Sequence, residues 1–136
     1  MKSNVLPIVV SAVALLIFAY LALYFMPVFF PGIAEQYFAS TFREGSNFAV
    51  FYYLQAILVA IALYWVWNRF YDDLKGSKWL RGLELGFLYA FVAVLPAMLI
   101  NYSILSVSAS LVFLWLFYGI CQGALAGLIF AFFDRD

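Results

Sequence analysis

Four long apolar stretches, at residues 5–30, 48–67, 82–102 and 111–133, dominate the pattern of hydrophobic and polar positions along the chain. Each has the roughly 20 residues needed to cross a hydrocarbon core of about 30 Å as an α-helix. The pattern predicts an all-α membrane protein, a bundle of four transmembrane helices forming one domain over residues 1–136. The first stretch follows Lys2 as a signal peptide would, but its apolar run is too long for one, so it reads as a retained helix.

The polar intervals are unequal. Residues 31–46 form the longest, with Ile33, Tyr37, Phe38 and Phe42 at helical spacing among Glu35, Gln36, Arg43 and Glu44. Pro31-Gly32 and Gly45-Ser46 bound it, and the pattern predicts a short helix lying in the membrane interface, with an irregular aromatic loop as the alternative. The interval near residues 103–110 carries no charge and is expected to be short. Lys2, Arg69, Lys75, Lys78, Arg81 and Arg135 fall on one side of the bundle, and Arg43 alone falls on the other. The positive-inside rule then places both termini and the 68–81 segment in the cytoplasm. Trp65, Trp67, Phe70, Tyr71 and Trp79 are expected at the inner interface, and Phe48, Phe51, Tyr52 and Tyr53 at the outer one.

Composition sharpens the picture by what it removes. The chain is 68% hydrophobic and 10% charged, against about 25% charged residues in an ordinary soluble domain, so lipid rather than water is the expected solvent. Net charge is zero and there is no basic block for nucleic acid. The absence of histidine removes His-bearing metal and haem sites and His-based nucleophile pairs. Cys121 is the single cysteine and lies in an apolar helix, where a small inert hydrophobe is expected. No cofactor is implied, and the reading is of a protein that is not an enzyme.

Two features concern packing. Gly119, Gly123 and Gly127 make overlapping GxxxG repeats in the fourth stretch, and Gly82 and Gly86 a matching repeat in the third. Small residues let membrane helices approach closely, so these faces are expected either to pack on each other or to dock a partner. In the docking case, Gly123→Leu would release the protein from its complex. The first two stretches are rougher, with Phe18, Tyr20, Tyr24, Phe25, Tyr53, Tyr64 and Trp65, more rings than four helices can bury.

Polar groups at depth are few. Glu84 is the one ionisable side chain inside a stretch, near a helix N-terminus and one turn from Arg81, where a structural role is expected over a proton or cation site. Gln55 and Gln122 fall near the midplane and Asn101 near the outer face. Pro96 removes a backbone donor and frees the carbonyl of Val92, which a Gln122 amide could satisfy. The competing reading is a small polar pocket of Gln55, Pro96 and Gln122, sized for a quinone head or a lipid carbonyl. Asn101-Tyr102-Ser103 has the N-x-S form but lies close to the membrane.

The stretches RGLELGFLYA and WLFYGICQGALAGLIFAFFD, with Pro96 and NYS between them, resemble a loose group of uncharacterised small bacterial four-helix integral membrane proteins. The resemblance covers the second half of the chain and implies architecture alone. Small multidrug transporters carry a glutamate in their first span, where this chain has no charge. Membrane eicosanoid and glutathione enzymes carry a Glu-Arg pair and an asparagine deep in the second helix, which are missing here. The expected function is a non-catalytic accessory, assembly or anchoring subunit of a larger bacterial inner-membrane complex, in contact with membrane lipids and larger subunits. The alternative is a small homo-oligomeric transporter or channel using Glu84, Gln55 and Gln122.

Overall fold

A computed structural model describes residues 5–34 and 46–133. The helices are α1 (Val5–Phe29), the short α2 (Pro31–Ala34), α3 (Ser46–Phe70), α4 (Lys78–Tyr89), α5 (Leu95–Ile104) and α6 (Ala109–Phe133). A π-helical turn, Ala90–Val94, joins α4 to α5, so that Lys78–Ile104 makes one continuous third span. Four helices are long and apolar enough to cross a membrane. Apart from Pro31–Ala34, the first interhelical segment lies largely outside the described residues, and with it the interfacial helix expected there.

The fourth span sits at the centre. It packs against α1, α3 and both halves of the third span, whereas α3 and α4 barely meet. In the most apolar part of α6, 39% of residues are buried, compared with 22% in each of the other spans, which fits a central helix with three neighbours. The pair α1–α3 therefore lies on one side of α6 and the third span on the other. A groove is left open between α3 and the third span.

The first pair meets through small residues. Pro7, Ser11, Leu15 and Ala19 recur every fourth position of α1 and are buried, as are Ala56 and Ala60 of α3. A ridge of this spacing with small side chains allows close approach without large rings. The Ser11 hydroxyl donates to its own helix at the Ile8 carbonyl, 3.0 Å, so its burial leaves no unmet donor. The Tyr52 hydroxyl donates to the Ala19 carbonyl at 2.8 Å and ties α3 to α1.

Trp67 and Tyr71, expected at the lipid interface, instead lie in the core. Trp67 is 1% exposed and packs edge-on against Tyr71 at 5.0 Å and beside Phe130 at 6.1 Å. The cause is the turn at the end of α3. A 3-10 turn over Tyr71–Asp73 folds the chain back under the bundle and carries Tyr71 and Leu74 inward. Trp65 faces outward and Tyr64 inward against Phe130, so only part of the aromatic surplus is internal. Gly76, at φ +91°, makes the left-handed step that lets the third span begin, and Ser77 caps α4 by accepting from the Leu80 amide at 3.4 Å.

Candidate functional site: an amide clasp and a glycine seam

The inward stripe of α6 carries Gly119, Gln122, Gly123, Ala126, Gly127 and Phe130. Facing it on the third span are Gly82, Gly86 and, one turn further, Tyr89. The backbones come together at the glycines. A Cβ built on Gly82 would lie 2.5 Å from the Gly127 carbonyl oxygen, and one on Gly86 would lie 2.5 Å from the Ala124 nitrogen. A Cβ on Gly127 would fall on the Gly82 carbonyl oxygen. Gly123 faces the Tyr89 ring and Gly86, and Gly119 faces Val94. The two smooth faces thus cover one another inside this chain. Gly123→Leu would disturb the fold itself and is unsuited to test the release of a partner.

Gln122 is 1% exposed, and its amide is answered from two helices. Gln55 Nε2 donates to Gln122 Oε1 at 3.1 Å, and Gln122 Nε2 donates back to Gln55 Oε1 at 3.2 Å. The Tyr89 hydroxyl donates to the same Gln122 oxygen at 3.3 Å. This clasp links α3, the third span and α6, and its Gln55 and Tyr89 line the open groove. Its partners differ from the Val92 carbonyl that the position of Pro96 suggested. The π turn explains why. The Leu95 amide reaches back five residues to the Ala90 carbonyl, in a π turn placed directly before Pro96, the residue that lacks an N–H. The Val92 side chain is exposed on the wall of the open groove.

The polarity pattern of the sequence does not mark Tyr89. It continues the stripe begun by Gly82 and Gly86 at i, i+4, i+7, and that periodicity was the signal available for it.

Glu84 stands apart from the clasp. Its Oε1 accepts the Lys75 amide at 2.8 Å, pinning the turn that precedes α4. Tyr89 lies five residues further along the span, about 7–8 Å at roughly 1.5 Å per residue. Gln55 and Gln122 are brought together; Glu84 does not join them. Because the bond at Glu84 needs only an acceptor, Glu84→Gln should leave thermal stability within about 0.5 kcal/mol, while Glu84→Ala should lose about 1 kcal/mol. Equal losses in the two variants, read by thermal denaturation in detergent, would show that the charge and not the acceptor matters.

Asn101 lies in α5 outside this constellation, and Cys121 is a partly buried free thiol of α6. Among the described residues no group of three metal-ligating side chains gathers. Comparison with protein-family models, curated proteins and solved structures gave no match.

Proposed function

We propose that this protein is a non-catalytic accessory, assembly or anchoring subunit of a larger complex in a bacterial inner membrane, with both termini and the 71–77 turn on the cytoplasmic side. The observation that carries the reading is an aromatic groove of about 540 Å³ between α1 and α6, on the half of the bundle away from the 71–77 turn. Phe25 and Phe29 on α1 and Trp115, Phe117 and Tyr118 on α6 line it, and Phe18 stacks on Tyr118 at 5.0 Å beneath. Rigid rings bury much area at small entropic cost and are enriched where proteins meet. With the glycine faces already covered, this concave aromatic surface is shaped to receive a neighbour. The charge distribution supports the orientation.

The test is native mass spectrometry of the tagged protein, extracted gently from its own membranes at native expression. A fixed ratio with larger membrane proteins is expected. Phe117→Ala combined with Phe25→Ala should release them without lowering the melting temperature, since both rings are exposed. A homo-oligomer with no larger partner would overturn the subunit reading and favour a small transporter or channel.

A further inference from the structure

The open groove between α3 and the third span has a volume of about 790 Å³ and is lined by apolar side chains. Both walls are present from Leu85 to Ala93 on the third span, with Val59, Gln55 and Phe51 opposite. That stretch is about 12 Å long at roughly 1.5 Å per residue, close to one leaflet of a hydrocarbon core of about 30 Å. Beyond Leu85, toward the 71–77 turn, the lining continues on α3 alone, as far as Phe70. The groove therefore matches a chain reaching in from one leaflet, whereas a partner helix would need two walls through both.

The mouth of the groove supplies a charge. Arg81 is one turn before Leu85 on the same face of α4, and Phe70 ends the opposite wall. The Arg81 guanidinium lies 4.3 Å from the centroid of the Tyr71 ring; its Nε is buried and has no hydrogen-bond acceptor among the described residues. The acidic groups at this end are otherwise placed: Glu84 holds the Lys75 amide, and Asp72 and Asp73 are exposed on the 3-10 turn. Lys75 and Lys78 add positive charge beside Arg81. A basic mouth on an apolar intramembrane groove is the arrangement that holds a lipid phosphate above its acyl chain.

We propose that this groove is a phospholipid site. One acyl chain lies between α3 and the third span from Leu85 to Ala93, and the phosphate of the same lipid meets the Arg81 guanidinium in the leaflet on the side of the 71–77 turn. The site goes beyond the subunit reading and does not depend on it, because it lies on the far side of α6 from the aromatic groove.

The experiment titrates the full chain, purified and delipidated in detergent, with palmitoyl-oleoyl phosphatidylglycerol or with the diacylglycerol of the same chains, and counts bound lipid by native mass spectrometry. One phosphatidylglycerol is expected to bind well ahead of any second, and the phosphate-free diacylglycerol about tenfold more weakly. Arg81→Gln should bring phosphatidylglycerol down to the diacylglycerol level. Ala93→Phe, at an exposed position on the groove wall, should weaken both lipids. Unchanged phosphatidylglycerol binding in either variant overturns the proposal. If Arg81→Gln does not fold, equal binding of the two lipids by the parent chain overturns it as well.

Discussion

Gly127→Leu is expected to cost about 3 kcal/mol or more and to lower the melting temperature more than any other single change in the chain. Even a Cβ at this position falls on the Gly82 carbonyl oxygen, an atom of backbone that no rotamer change can move. Relief requires α4 and α6 to separate. Separation would also loosen Gly86 from Ala124 and Gly123 from Tyr89, because the same two helices carry all these contacts. Overpacking commonly costs about 1–3 kcal/mol where side chains can yield, and more where backbone is struck. In a membrane, where close packing itself drives helix association, nothing replaces the lost contact. Gly32→Ala is the control: a Cβ there meets nothing within 4 Å, and melting should be unchanged. Circular dichroism melts in detergent compare the two. A Gly127→Leu variant that melts with the parent would mean that α4 and α6 are not in backbone contact.

Gln122→Leu is the second large effect. The substitution removes both bonds of the reciprocal amide pair and an acceptor of the Tyr89 hydroxyl, leaving Gln55 and Tyr89 without the Gln122 amide. Buried polar groups stripped of a partner cost about 1–3 kcal/mol, and hydrogen bonds between membrane helices have measured at about 0.6 kcal/mol on average and about 1.7 at most. A loss of about 1–2 kcal/mol is therefore expected. Adding Gln55→Leu should cost less than it does alone, because the amide it removes has already lost its partner, giving a coupling of about 1 kcal/mol. Strictly additive losses in this double-mutant cycle would show that the two amides do not bond.

Much of this architecture can be read from residue order. The apolar runs are long, and small residues at every fourth position are visible without coordinates. Boundaries were less legible: α3 extends three residues past Trp67 before the 3-10 turn closes it, because that turn is set by where Tyr71 and Leu74 can bury. The same tertiary demand drew Trp67 and Tyr71 from the lipid interface into the core. The stripe Ser11, Leu15, Ala19 escaped notice among larger neighbours, although its spacing matches that of the glycines. Within the polar cluster, Gln55 and Gln122 stood out as rare side chains at depth. Their bonding to each other depends on how α3 and α6 face one another, which no local pattern encodes. The proline effect differs from the sequence expectation for a local reason: a π turn directly before Pro96 shifts the bonding register by one residue.

The central position of α6 bears on the order of events during synthesis. Chain order puts α1, α3 and the third span into the bilayer before the helix that joins them has emerged. In that interval only the α1–α3 pair has a substantial mate, while Gly82 and Gly86 lie against lipid and the Gln55 amide and Tyr89 hydroxyl lack the amide that answers them. Assembly of the whole bundle thus waits on the last of the four spans. A nascent chain arrested before Ala109 should expose an unfinished seam to the membrane's quality-control proteases, and release of α6 should protect all four helices together.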